Sequence, residues 1–174
     1  SSGLRSENEI DDITVSADMT WFKSPDATVK FGLQHKTLGF QYLNAFQDSI
    51  QFDVQTRPAE IGQYVKLKYA PNSIWIIEPG LRINYYDVYP DSLFPDFRLG
   101  FKYLLTDDRY INLSVGNYHQ FIQTAQDDFN PSIIDFWIAI DKSVDAGASQ
   151  QIVLGYEEYI DSRFKIQGEG DYKN

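Results

Sequence analysis

The chain holds two histidines, His35 and His119, and no cysteine, so its stock of metal ligands and nucleophiles is small. Zinc needs three or four convergent ligands. Neither histidine stands in a ligand-spaced cluster with Asp or Glu, and no metal site is expected. Membrane-embedded hydrolases use Asp, His or Ser at an outer rim, and His119, Ser132 and Asp135 are candidates for one side of a sheet. No spacing among them sets a nucleophile beside a base. The pairs Asp107-Asp108 and Asp127-Asp128 offer the oxygen donors that calcium takes, but adjacent acids in loops serve equally as solvated turn residues. No glycine-rich loop of the phosphate-cradling kind occurs, so no cofactor is expected and the chain reads as a non-enzyme.

The richer candidate is a recognition surface. The segment from Thr124 to Ser149 carries Asp127, Asp128, Asp135, Asp141 and Asp145 against Lys142, a formal charge of -4. Inside it runs Ile133-Ile134-Asp135-Phe136-Trp137-Ile138, apolar and aromatic, which is unusual for a solvated loop. Connections longer than about 12–15 residues are often functional. Phe136 and Trp137 are therefore expected to fold over a mouth, with Tyr118 and Gln120 beneath them, as a ligand-contact surface. The plainer alternative is that Phe136 and Trp137 merely extend a sheet.

Strands must position these residues. From Phe94 to Gln123, Phe97, Leu99, Phe101 and Tyr103 hold odd positions with Arg98, Gly100 and Lys102 between them; Thr106-Asp107-Asp108-Arg109 breaks the run, and Ile111, Leu113 and Val115 resume it. Strand side chains alternate between faces, so this is a hairpin with one apolar and one polar face. The same period of two marks Ile13 to Trp21, Val29 to Tyr42, Ile61 to Tyr69, Trp75 to Tyr85, Ile152 to Tyr156 and Phe164 to Ile166. Eight strands in four hairpins result, an all-β antiparallel up-and-down meander, and no segment carries a helical stripe. The apolar set of the second strand changes parity between Leu33 and Leu38, which predicts a bulge near Lys36 to Gly39, or a strand end there. Pro79 lacks an N–H and predicts a second bulge or break.

The connections alternate in length. Those after the first, third, fifth and seventh strands are tight, while Asn44–Glu60, Asp87–Pro95 and Thr124–Ser149 are long and read as irregular. Outer-membrane barrels put short turns on the periplasmic side and long loops outside. The polar positions hold Asp18, Lys30, Lys66, Lys68, Arg82, Arg98, Lys102, Lys165 and Glu169, a mixture that a wet lumen tolerates and a packed core does not. Aromatics sit at strand ends, at Trp21 and Phe22, Tyr69 and Trp75, Tyr85 and Tyr86, Tyr103 and Tyr110, as interfacial girdles do.

Composition sets bounds on partners. A formal charge of -10 argues against nucleic acid, since phosphate binding needs the opposite sign. Nothing approaches the roughly 20 consecutive apolar residues of a spanning helix. The apolar face therefore meets either lipid or a protein core. Three readings stay open: part of a transmembrane β-barrel, a self-contained eight-stranded outer-membrane barrel with a structural or adhesive role, or a soluble ligand-binding β-barrel with its apolar face turned inward.

Glu78-Pro79-Gly80-Leu81-Arg82-Ile83-Asn84-Tyr85-Tyr86, followed by Phe97-Arg98-Leu99-Gly100-Phe101-Lys102-Tyr103, resembles the barrel of TonB-dependent outer-membrane receptors of the Bacteroidetes type. NYHQF at 117–121, DFW at 135–137 and QQIVLGYEEYI at 150–160 resemble later landmarks of that family in its order. The resemblance covers most of the chain and is strongest from Ile74 onward. It implies residence in the cell outer membrane, contact with outer-membrane lipid, and uptake of a scarce nutrient such as an iron chelate, vitamin or oligomer. It also implies coupling to TonB through segments not present here. The family's barrel has about 22 strands around a plugged lumen, whereas eight are visible. Residues 1–174 thus read as one partial barrel domain, without the plug and the remaining strands. If Trp137 touches ligand, Trp137→Ala in the intact protein lowers nutrient uptake while assembly stays normal; unchanged uptake removes that role.

Overall fold

A computed structural model of the chain describes residues 4–46, 49–89, 92–125, 136–140, 145–160 and 163–174. Eleven strands occur among them: β1 (Leu4–Ser24), β2 (Ala27–Phe46), β3 (Ser49–Thr56), β4 (Ala59–Tyr69), β5 (Trp75–Tyr86), β6 (Leu93–Thr106), β7 (Arg109–Gln120), β8 (Ile122–Ala125), β9 (Phe136–Ala139), β10 (Gly147–Ile160) and β11 (Phe164–Lys173). One antiparallel meander runs β1-β2-β4-β5-β6-β7-β10-β11, with β3 added to β2, and β8 and β9 pair as a separate hairpin. The eight expected strands are the eight of this path. Among the described residues β1 and β11 each pair with one neighbour, so the sheet has two open edges.

Register explains how the faces sort. Phe31 lies opposite Met19 and Val65, Val65 opposite Leu81, and Leu81 opposite Phe97. One step along, Ile77, Phe101, Leu113 and Leu154 form another apolar row. Asp18, Gly32, Tyr64, Arg82 and Asp96 form a row on the other side, as do Thr20, Lys30, Lys66, Gly80, Arg98 and Gly116. The apolar face is the bare one: Ile13, Val15, Met19, Trp21, Phe97 and Leu154 are each more than half exposed. Buried polar side chains lie on the opposite face, with Asn84 at 2 % and Asp96 at 3 % exposure. At the tight-turn rim Trp75 packs on Phe101 and Tyr103, with ring centroids 5.0 and 4.3 Å apart.

Several expectations need correction. The stretch from Asn44 to Glu60 is no mere loop, because it contains β3. The 20-residue β2 outruns β4, whose ladder ends at Thr37 opposite Ala59, and β3 pairs the remaining length from Phe40 onward. Lys36 to Gly39 holds neither a bulge nor a strand end: β1 and β2 keep one register from Ile13 opposite Thr37 to Leu4 opposite Phe46. The parity shift is a change of face. Leu38 and Phe40 share the polar side with Lys36 and are buried there. Pro79 neither breaks nor bulges β5. The ladder to β4 skips the pairs between Gly80 and Ile77 while keeping its register, and Pro79 still stands opposite Leu99 on β6. A missing N–H thus costs hydrogen bonds on one side only.

The segment from Thr124 to Ser149 is likewise not wholly irregular, since it holds β9 and the start of β10. Tyr86, expected in an interfacial girdle, is instead almost fully buried on the polar side, stacked on Phe121 at 4.7 Å beside Ile140. Tyr110 also leaves the girdle, for its ring lies under the Lys102 ammonium at 4.1 Å.

Glycine gaps let long side chains lie flat on the polar face. A Cβ on Gly32 would stand 2.6 Å from the Tyr64 ring and 2.9 Å from the Ala17 carbonyl oxygen, and one on Gly62 would meet the Arg82 guanidinium. Gly32→Val is expected to destabilise by about 1–3 kcal/mol through such overpacking. Gly168→Val, where a Cβ meets nothing within 4 Å, should be neutral or better. Urea unfolding of both variants checks the contrast.

Candidate functional site

The polar face carries a connected hydrogen-bond system centred on Arg82, Asn84 and Asp96. It is built on alternate residues of adjacent strands, which register places side by side. On β5, Arg82 donates from Nε to Asn84 Oδ1 at 2.6 Å and from Nη2 to Gln34 Oε1 at 2.7 Å, with Glu60 Oε1 at 3.5 Å. Asn84 donates onward to Asp96 Oδ2 at 3.0 Å, and Asp96 Oδ1 lies 2.6 Å from His119 Nδ1. A buried carboxylate accepting from two donors is well satisfied, and an unpaired one would be costly. With Nδ1–H directed at the carboxylate, His119 keeps Nε2 as its second ring nitrogen.

His119 reaches this network because the β6–β7 ladder stops at Arg98 opposite Gly116. Pro95 has no N–H to continue it. The Asn117 side chain takes over, accepting from Phe97 N at 2.7 Å and donating to the Pro95 carbonyl at 2.8 Å. Beyond this link Phe121 packs with Tyr86 and Phe94, and Ile140 N donates to Phe121 O at 3.1 Å. The Tyr86 hydroxyl donates to the Ile140 carbonyl at 3.4 Å. β9 also approaches β2, so the β8–β9 hairpin reaches across the polar face at the long-loop end.

The hollows on this face include two beside the network. The upper, of about 400 Å³, sits between Ile10, Leu38 and Phe40 on one side and Phe121 and Ile122 on the other, with Glu60, His119 and Gln120 as polar lining. The lower, of about 360 Å³, is floored by Gly80 and Gly100 and bounded by Tyr64, Lys66, Glu78, Arg82, Arg98 and Tyr118. In it Lys66 pairs with Glu78 at 3.2 Å, and Arg98 lies over the Tyr118 ring at 4.7 Å. Tyr64 donates to Asp18 at 2.7 Å.

The predicted contact residues fall in different places. Tyr118 lines the lower hollow and Gln120 the upper, where Gln120 Nε2 donates to the Ile122 carbonyl at 2.8 Å. Phe136 and Trp137 supply the backbone of β9, opposite Ala125 and Thr124, in a hairpin that pairs with itself and not with the main sheet. Their side chains lie outside the described residues, as do Ser132, Asp135, Asp127 and Asp128. Among the described residues no three His, Asp or Glu side chains converge as a metal would require.

Sequence reasoning passed over Asp96, Asn84, Gln34 and Tyr64. The signal was present: Arg82 and Asn84 are two apart on one face, and Asp96 is an acid inside a strand. What pattern alone withholds is the partner on the next strand. No protein-family model, curated protein or solved structure matches the chain.

Asp96→Ala removes the acceptor shared by Asn84 and His119, and should destabilise the protein by about 1–3 kcal/mol. Asp96→Asn, which keeps one acceptor, should lose less. Chemical unfolding of the two variants in micelles tests this; equal losses would mean that the carboxylate is not the centre of the network.

Proposed function

We propose that the chain forms part of the wall and outer mouth of a bacterial outer-membrane barrel that takes up a small nutrient, a TonB-dependent receptor rather than an enzyme. The observation that carries the reading is the sorting of faces. Large apolar side chains such as Ile13, Val15, Met19, Trp21 and Phe97 stand exposed on one side, while Arg82, Asn84, Asp96 and His119 bond to one another on the other. Soluble monomers leave at most a few hundred Å² of contiguous apolar surface bare, whereas here large exposed apolar side chains run across the sheet from β1 to β11. Acyl chains are the covering that fits, because each fully covered Val, Leu, Ile, Phe or Met side chain contributes about 1.5–3 kcal/mol.

Three further features support this reading. Tight turns fall at one rim and long connections at the other, as in outer-membrane barrels. Trp75, Phe101 and Tyr103 cluster at the tight-turn rim, where an aromatic girdle belongs. The hairpin β8–β9 reaches over the polar face at the opposite end, where an incoming solute would first arrive. Open edges in lipid leave rows of unpaired backbone groups, so further strands on both sides complete the wall. A self-contained eight-stranded barrel would instead pair β1 with β11, and a soluble barrel would enclose Phe97 and Leu113. The particular assignment to TonB-dependent receptors rests on the succession of segments at 78–103 and 117–160. It carries with it coupling to TonB and a place in the outer membrane.

Two substitutions on neighbouring residues of β7 test the orientation. Leu113→Arg puts a cation on the proposed lipid face and should destabilise the protein in phospholipid vesicles by about 2–4 kcal/mol, whereas Ser114→Arg faces the lumen and should cost far less. Equal effects, or a larger effect at Ser114, would overturn the membrane reading.

A further inference from the structure

The lower hollow has a charge that the chain as a whole does not. Acids outnumber bases by 25 to 15 in the sequence. Yet one cross-strand row of the polar face brings Lys30 directly opposite Lys66, with Arg98 in the same row across Gly80. Lys68 stands two residues along from Lys66 on the same face. Like charges directly opposite each other destabilise a sheet, so this row is held against local cost.

The acids nearby are too few to neutralise it. Glu78 pairs with Lys66 at 3.2 Å, and Asp18 accepts from the Tyr64 hydroxyl. Glu60 lies with Arg82, at 3.5 Å. Among the described residues Arg98 meets no carboxylate; its guanidinium rests on the Tyr118 ring at 4.7 Å and is exposed to the hollow. Stacking on a ring leaves the edge N–H groups of an arginine free to donate, and that planar fork fits the two oxygens of a carboxylate or phosphate.

The floor keeps the gap open. Gly80 stands between Lys66 and Arg98 in the row, and a Cβ there would meet nothing closer than 3.6 Å. Two strand spacings separate the two cations, about 10 Å of backbone, with their side chains free to converge. The hollow of about 360 Å³ has room for a small organic molecule carrying more than one negative group.

From the charge row, the unneutralised Arg98 and the open glycine floor, we infer that this hollow binds a multiply charged oxyanion, with Arg98 as the bidentate contact, Lys66 as a further cation, Lys30 adding positive charge from the next strand and Ser114 as a neutral neighbour. The site is independent of what covers the apolar face. Either a carboxylate or a phosphate group on the ligand supplies the chemistry.

Isothermal titration of the intact protein, folded in nonionic detergent, with pyrophosphate and with tricarballylate tests the inference and distinguishes the two sources. Saturable binding of either anion that weakens as salt rises is expected, with no binding of glucose. Arg98→Gln should weaken it about ten-fold or more, and Arg98→Lys should restore part of the loss. Ser114→Glu, which places a carboxylate beside Arg98 without removing any cation, should abolish it and guards against a folding defect in the arginine variants. Absence of saturable binding to both anions would overturn the site, as would unchanged affinity in folded Arg98→Gln and Ser114→Glu proteins.

Discussion

Every feature of this molecule depends on strand register. Backbone hydrogen bonding between antiparallel neighbours fixes which residues stand opposite each other, and a slip of one residue would move each side chain to the other face. Here β2, β4, β5, β6, β7 and β10 keep their pairing through the band where apolar and charged residues alternate, so Phe31, Val65, Leu81 and Phe97 fall into one row and Gly32, Tyr64, Arg82 and Asp96 into its counterpart. Even Pro79, which removes ladder bonds to β4, leaves the register intact. The two chemically opposed surfaces follow from that single constraint.

What the polar surface does with its freedom is less regular. Glycines at 32, 62 and 116 leave room for Tyr64, Arg82 and Tyr118 to lie along the sheet instead of projecting from it. A long side chain held flat can reach groups two strands away, and Arg82 thereby touches Gln34 on β2 as well as Asn84 on its own strand. The result is a wall whose charged groups are partly neutralised by one another. Arg98, Lys30 and Lys68 are among the places where that neutralisation is incomplete among the described residues. Toward the long-loop end the character changes again, because Tyr86, Phe121 and Ile140 make a small apolar cluster on the same side, with Leu38 and Phe40 buried across the hollow from it.

The meander itself could be read from local pattern, since period two needs only neighbouring residues. All eight strands of the path were visible in this way, and so was the alternation of tight and long connections. What escaped was whatever depends on a distant partner. β3 has its own alternation in Ile50, Phe52 and Val54, but it sits inside a polar connection and gains its place only from the overhanging end of β2. The parity change at Leu38 looked like a bulge because a local reading cannot see Phe121 and Ile122 across the hollow. The same holds for the site: Tyr118 and Gln120 were picked from one short motif, but the link at Asn117 and the differing company of each residue put them in separate hollows. The Asp96–His119 contact joins residues 23 apart and has no signature in either segment alone.

The β1 edge is tall. β1 has 21 residues, which at a rise of about 3.3 Å makes this edge roughly 70 Å tall. A strand joining at β1 and only tall enough to cross a bilayer would leave the upper part of that edge bare. There the outermost residues include Glu7, Glu9, Asp11 and Asp12, all exposed. Charges along an unpaired edge discourage a stray strand from adding to it. The overhang therefore carries its own protection against sticking to other chains, and the molecule can raise a high parapet on one flank without inviting aggregation.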